Sequence, residues 1–263
     1  INQIYFDACY REITVQCQNP GEAVGRRGIN LQQIRDQSGW LVTVERTPPL
    51  VSKTVHDIRG YRHAHADERR KLLKDFGLNI HRPQRPGSAW ARVTALGSYR
   101  EVGRACHFVT TNESRVMIDV GVNIASDTDP MPYFTAPEAL PLEKLDAVVL
   151  THSHLDHAGM LPVLFKYGYR GPVYCTPPTR DLMLLLQTDY LKVGGAEGKR
   201  APYDMEDIRT CMKHVVDVDW DETTDIAPDI KLTFSNAGHI LGSSAVHLHI
   251  GDGKHNIVFS GDQ

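Results

Sequence analysis

The sequence predicts an α/β protein preceded by a small α+β domain, and three observations predict it. Beyond residue 89, short apolar runs of strand character alternate with helix-length segments, among them Val116-Met117-Ile118, Ala147-Val148-Val149-Leu150 and Val173-Tyr174-Cys175. Ahead of that region, strand-like Ile13, Val15 and Cys17 and strand-like Leu41-Val42-Thr43-Val44 flank a helical stretch entered through Gly25-Arg26-Arg27-Gly28. Between the two regions, Asn79 to Ser88 contains Pro83, Pro86 and Gly87 and marks a change of texture. The expected organisation is therefore residues 1–78, a linker over 79–88, and 89–263.

Taken in order, the first strand breaks at Asn19-Pro20-Gly21, a turn or helix start. Leu31, Ile34 and the end signal Ser38-Gly39 suit a short helix after Gly28. Val51, Val55, Ile58, Leu72, Leu73 and Phe76 among many charges predict one long, mostly exposed helix that Gly60 interrupts if anything does. Past the linker, strands are expected around Val93, Phe108 and Val116–Ile118. Helices follow over Asp156–Tyr167, Thr179–Val193 and Asp204–His214. Ala245–Ile250 and Asn256–Phe259 flank Gly251-Asp252-Gly253, a hairpin turn signal.

Composition narrows the class. With 41% apolar residues, 23% charged residues and a net charge of −3, the 263-residue chain can bury a core and is not a uniformly basic nucleic-acid binder. Basic character is local, at Arg26-Arg27 and from Arg59 to Lys74. No run approaches the roughly 20 apolar residues of a membrane span, and no signal-peptide pattern opens the chain, so a cytoplasmic protein without a membrane partner is expected. The cysteines Cys9, Cys17, Cys106, Cys175 and Cys211 never form a Cys-x-x-Cys pair, which argues against a disulfide framework and a thiolate zinc finger.

Histidine carries the chemistry. Thr151-His152-Ser153-His154-Leu155-Asp156-His157 directly follows the buried-strand run ending at Leu150 and precedes an apolar helical run. A loop leaving the carboxyl end of a buried strand can turn several side chains toward one cleft, and imidazoles with a carboxylate are ligands zinc prefers. In an extended segment residues two apart point the same way, so His152 and His154 can share one metal while Asp156 and His157 reach a second. His247 and His249 alternate within a strand and His255 follows a turn. His56, His63 and His65 lie on the long helix, and none of these six is assigned to metal.

The His-x-His-x-Asp-His pattern resembles the second motif of the metallo-β-lactamase superfamily, which implies three further motifs, and all occur in order. Met117-Ile118-Asp119-Val120-Gly121 is similar to the first, with Asp119 orienting a ligand from behind. Asn236-Ala237-Gly238-His239-Ile240-Leu241-Gly242-Ser243 is similar to the third, making His239 a ligand, and Phe259-Ser260-Gly261-Asp262 to the fourth, whose Asp262 would bridge. The resemblance implies the N-terminal part of an αββα fold and two Zn2+ ions per complete site. His152, His154 and His239 would hold one ion, Asp156 and His157 the other, with Asp262 between them. Asp119, Asp156 and Asp262 are the implied catalytic residues, Asp156 orienting the attacking hydroxide.

Flanking words narrow the branch. Thr94–Gly97, Glu101–Arg104, Phe165–Tyr169, Gly171–Thr176 and Pro178–Asp181 resemble the RNA-cleaving β-CASP branch and, within it, archaeal relatives of the cleavage and polyadenylation specificity factor endonuclease. In that family KH domains precede the nuclease, and Gly25-Arg26-Arg27-Gly28 supplies the Gly-x-x-Gly of a type II-like KH domain, where the glycines let an RNA backbone approach and the arginines favour phosphate. The resemblance implies single-stranded RNA as partner, endonuclease or 5′-to-3′ exonuclease activity, and 3′-end processing or transcription termination as setting. A type II KH fold would begin with a helix and strand ahead of Ile1, so this copy reads as shortened at its front. The branch's inserted domain, a further ligand of the second metal and a general-acid histidine would follow Asp262, along with contacts for a homodimer of the parent; the active site in this chain reads as incomplete. Two other readings stay open: a small-molecule metallohydrolase sharing the ligands, and an RNA-binding fragment without catalysis.

Overall fold

The computed structural model describes residues 1–50, 52–84, 89–126, 128–196, 198 and 201–263. Residues 85–88 of the expected linker, and Val51 at the start of the expected long helix, lie outside the described residues. The chain divides into two compact units, Ile1–Leu72 and Leu73–Gln263.

The first unit runs β1 (Gln3–Asp7), β2 (Glu12–Cys17), α1 (Pro20–Val24), a single turn at Arg26–Gly28, α2 (Ile29–Ser38), β3 (Leu41–Arg46) and α3 (Lys53–Ala64). β2 lies at the centre of a three-stranded sheet, antiparallel to β1 and parallel to β3, with Ile13 opposite both Phe6 and Val42. β1 is a strand that the sequence reading, which begins with Ile13, does not expect. Ile4 and Phe6 lie on its more exposed side, 40% and 46% exposed, with the Phe6 ring edge-on to Trp40.

The expected long helix is two. α3 ends at Ala64 and α4 spans Ala66–Ile80, crossing the division between the units, while Gly60 sits inside α3 undisturbed. Charge marks the break: Arg62 and His63 close α3, and Asp67 and Glu68 open α4, each sign favoured at its helix end. More than half of the residues of the pair are exposed, while Ile58, Arg62, Ala66, Arg69 and Phe76 are buried, the Arg69 guanidinium 3.1 Å from the Asp7 carboxylate.

The second unit continues with β4 (Ala91–Ala95), β5 (His107–Thr111), β6 (Arg115–Ile118), β7 (Ala147–Val149), α5 (Leu155–Ala158), α6 (Leu161–Lys166) and β8 (Val173–Cys175). Then come α7 (Pro177–Ala196), α8 (Met205–His214), β9 (Val215–Asp217), β10 (Thr223–Ala227), β11 (Ile230–Asn236), β12 (Ser244–Ile250) and β13 (His255–Phe259). β4 to β9 form a six-stranded sheet in sequence order, antiparallel as far as β6 and parallel from β6 to β9; β10 to β13 form an antiparallel meander. The helix expected over Asp156–Tyr167 is split into α5 and α6 at Gly159-Met160.

The two sheets stack face to face. Val109, Val116, Ile118 and Val149 of one meet Leu232, Phe234, Val246, Leu248 and Ile250 of the other in one buried cluster. Helices α6 to α8 contribute buried Leu161, Leu164, Met183, Ile208 and Cys211. Helix, sheet and sheet are three of the four layers that the resemblance implies. His247 and His249 lie on the same side of β12, both bonded to the Asn256 side chain. None of the five cysteines is in a disulfide. Among the described residues no helix is long and apolar enough to cross a membrane.

Candidate metal centre

Four loops, each leaving a strand, converge. β6 ends at Ile118 and delivers Asp119; β7 ends at Val149 and delivers the loop from Leu150 to His154; β11 delivers His239; and β13 delivers Asp262. The loops are fastened by backbone bonds. Asp119 N donates to Val149 O, Ser244 N to Thr151 O, and Val120 N to His157 O, at 2.9, 2.8 and 2.6 Å. Gly121 lies where the chain crosses α5: an added Cβ would fall 1.6 Å from the carbonyl oxygen of Asp156. The His239 loop is pinned by Ser243, whose hydroxyl accepts from His239 N and Ile240 N, and by Gly242, whose carbonyl accepts from Thr176 and Thr179.

On one side of the centre, His152 Nε2 stands 3.1 Å from His154 Nδ1, which stands 3.2 Å from His239 Nε2. With Asp262 these residues offer four ligand atoms within 4.8 Å of one another. Three imidazole nitrogens crowded together are poorly served by one another, since each needs either a proton to share or a cation; nitrogen and carboxylate donors at this spacing fit zinc.

On the other side, His157 Nε2 stands 3.3 Å from Asp262 Oδ1 and 4.0 Å from Asp156 Oδ2. The remaining oxygen of Asp262, Oδ2, stands 3.7 Å from His239 Nε2. Asp262 therefore presents one oxygen to each half, and the six residues expected as ligands lie close together.

Asp119 sits behind them, 3% exposed. Its Oδ1 accepts from Thr151 N and its Oδ2 from the Thr151 hydroxyl and from His157 Nδ1, all at 2.8 Å. Burial lowers the His152 pKa to about 4, helped by the neighbouring His157 charge, so His152 is neutral at pH 7. Burial also pulls His157 down, but the Asp119 carboxylate outweighs it, with Asp156 and Asp262 adding, and the result is about 9. The carboxylates around His157 make a place for positive charge, which a proton or a metal cation can fill. Thr151, Ser243, Thr176 and Thr179 carry no expectation from sequence: a buried hydroxyl looks like any other until its partners are known.

In the first unit, Gly25, Arg26, Arg27 and Gly28 form the turn between α1 and α2. Gly25 and Gly28 have φ of +75° and +77°, and a Cβ on Gly25 would press on the Asn30 side chain at 2.7 Å. Arg26 and Arg27 are exposed, and Gly28 leads into α2 with no side chain capping the helix start.

Residues 108–262 match the family model described as the metallo-beta-lactamase superfamily domain, more than half of the 263-residue chain. The chain belongs to the metallo-β-lactamase superfamily. It is 52% identical over 262 residues to the transcription termination factor FttA of Methanosarcina mazei and 48% identical over 263 residues to that of Methanocaldococcus jannaschii. Each match covers 100% of this chain but 41% of the relative, so the chain spans less than half the length of these curated relatives. Among solved structures, the metallo-beta-lactamase fold protein YhfI from Bacillus subtilis is 20% identical with a TM-score of 0.43, covering 66% of this chain and 62% of that one.

Proposed function

We propose that this chain is the RNA-gripping and metal-holding part of a zinc-dependent ribonuclease that cleaves single-stranded RNA in transcription termination or 3′-end processing in the cytoplasm. The observation that carries the reading is the convergence of ligand atoms from His152, His154, His239 and Asp262, with one Asp262 oxygen beside His239 and the other beside His157, which Asp156 also approaches. Endonucleolytic cleavage is the primary reading and 5′-to-3′ exonuclease activity the alternative, with a homodimer as the form of the longer parent. The relatives at 52% and 48% identity, named for transcription termination, supply the setting.

His152, His154 and His239 would hold one zinc ion and Asp156 and His157 a second, with Asp262 shared. Bound zinc supplies a Lewis acid for phosphoryl oxygens and lowers the pKa of water. The chain's own residues do the rest. Asp119 holds His157 by its Nδ1 and so aims Nε2 into the cleft. Asp156, with a side chain 33% exposed, would orient an incoming water. Burial of His152 keeps a neutral imidazole available as a ligand.

The first unit is read as a type II-like KH domain, and its topology supports this. Two helices joined through Gly25-Arg26-Arg27-Gly28 lie between a strand and its parallel neighbour. Such a loop clamps a nucleic-acid backbone, with exposed arginines for the phosphates.

The test is zinc content per chain by elemental analysis, after expression with zinc, for the unmutated protein and for His152→Ala and His239→Ala. Bound zinc that both substitutions remove is expected; an unmutated chain that holds none overturns the metal-centre reading. Nuclease activity is tested in the full-length parent, where Asp262→Asn should abolish cleavage of a single-stranded RNA while leaving RNA binding intact.

A further inference from the structure

We propose that Thr151 is a positioning residue that fixes the tautomer of His152, so that Asp119 and Thr151 form one post supporting both halves of the metal centre. The inference rests on the metal-binding reading above and adds a role for a residue outside the expected ligand set.

The argument is one of proton counting. Thr151 is 1% exposed, and its hydroxyl has a single proton. Its oxygen lies 2.8 Å from Asp119 Oδ2 and 3.0 Å from His152 Nδ1. A carboxylate oxygen can only accept, so the hydroxyl proton must lie toward Asp119; otherwise two oxygens would face each other at 2.8 Å with nothing between them. The threonine oxygen is then an acceptor toward His152, and the Nδ1 facing it must carry the imidazole proton. The lone pair of neutral His152 is left on Nε2, the atom 3.1 Å from His154 Nδ1 inside the cluster.

His157 reaches the same carboxylate without an intermediary. Its Nδ1, 2.8 Å from Asp119 Oδ2, donates directly, which leaves Nε2 toward Asp262 and Asp156. Thr151 Oγ1 is 3.4 Å from that Nδ1, too far to compete with the carboxylate. One aspartate thus sets His157 directly and His152 through a hydroxyl. The backbone reinforces the arrangement, because Thr151 N donates to Asp119 Oδ1 and the threonine cannot turn away from the carboxylate it serves.

The experiment uses the full 263-residue chain. Zinc and cobalt affinities are measured by competition with a chromophoric chelator for the unmutated protein, Thr151→Val and Thr151→Ser, and the His152 tautomer is read from the ring nitrogen shifts of 15N-histidine-labelled, metal-free protein. Loss of a partner behind a metal-bound histidine typically costs 10- to 100-fold in metal affinity. Thr151→Val, which keeps the shape and removes the hydroxyl, should lose about that much, while Thr151→Ser should stay within a few-fold of the unmutated chain. The metal-free unmutated protein should show the Nδ1–H form of His152. Undiminished affinity in a folded Thr151→Val, or an Nε2–H His152 in the unmutated protein, overturns the proposal. An unmutated chain that binds no metal defeats the metal-centre reading instead, and the tautomer measurement still decides the role of Thr151. That measurement also stands if the valine variant fails to fold.

Discussion

Asp119 adopts φ +61°, a conformation that costs a non-glycine residue about 1–3 kcal/mol, and it does so while buried and accepting three hydrogen bonds. The surrounding bonds hold that geometry because it aims the carboxylate at Thr151 and His157 together. Asp119→Asn replaces an oxygen that accepts from two donors with either an amide N–H facing them or a rotated side chain. Zinc affinity should fall about 10- to 100-fold, read by chelator competition, and an unchanged affinity would remove Asp119 from the centre. A second residue sets an acid limit. His214, 4% exposed, is driven down to about 4 by burial, although its Nδ1 bonds to the Gly171 carbonyl. The unfolded chain takes up that proton near pH ~6.5, so between about 6.5 and 4 the unfolded state binds more protons and stability rises with pH. The contribution is complete above about pH 6.5 and is lost on acidification toward pH 4, amounting to at most about 3 kcal/mol. His214→Asn should melt with a shallower dependence on pH over 7 to 4.5; parallel curves for the two proteins would refute the assignment.

At the scale of elements, the short α5 depends on the strand end it crosses. The Val120 and Val122 amides bond to carbonyls of α5, and the Ala105 amide bonds to Asp156 O, so Asp156 and His157 are placed by backbone rather than by their own rotamers. Gly121 permits the crossing. Gly121→Ala sets a methyl group against backbone that cannot swing aside, and should cost about 3 kcal/mol, the upper part of the overpacking range. Because Asp156 and His157 move with that backbone, zinc content should fall as well as melting temperature; a variant that loses neither would show that α5 is free to shift.

For the whole molecule, the two units predict separable defects. Arg26 and Arg27 lie in the first unit and the metal motifs in the second. Arg26→Ala with Arg27→Ala should weaken single-stranded RNA binding and lower the slope of log affinity against log salt by about 1 to 2, because a protein that neutralises fewer phosphates releases fewer counterions. Zinc content should not change. Fluorescence anisotropy at several salt concentrations gives the first quantity and elemental analysis the second; an unaltered salt slope would mean that RNA is gripped elsewhere. Chelation should show the converse, lowering the melting temperature of the zinc-loaded chain because a metal held more tightly by the folded than by the unfolded state stabilises folding, with RNA affinity unchanged.

The sequence by itself picked out the residues that the fold brings together at the candidate metal centre, because each motif is local. His152, His154, Asp156 and His157 fall within one strand-to-helix passage, and His239 and Asp262 stand in loops whose glycines mark them. It also determined the alternation of strand and helix, since β6, β7, β8 and β12 are short apolar or alternating runs. Only the tertiary structure decided how the charges are shared. That Thr151 stands between Asp119 and His152, that one oxygen of Asp262 faces each half, and that Ser243 and Thr176 hold the His239 loop all depend on residues brought together from distant parts of the chain. Periodicity reports which side of an element is apolar, not which polar group meets which across a cleft. The break at His65 and the inward turn of Arg69 toward Asp7 were hidden for the same reason: a buried charge reads as an exposed one until its partner, far off in sequence, is brought against it.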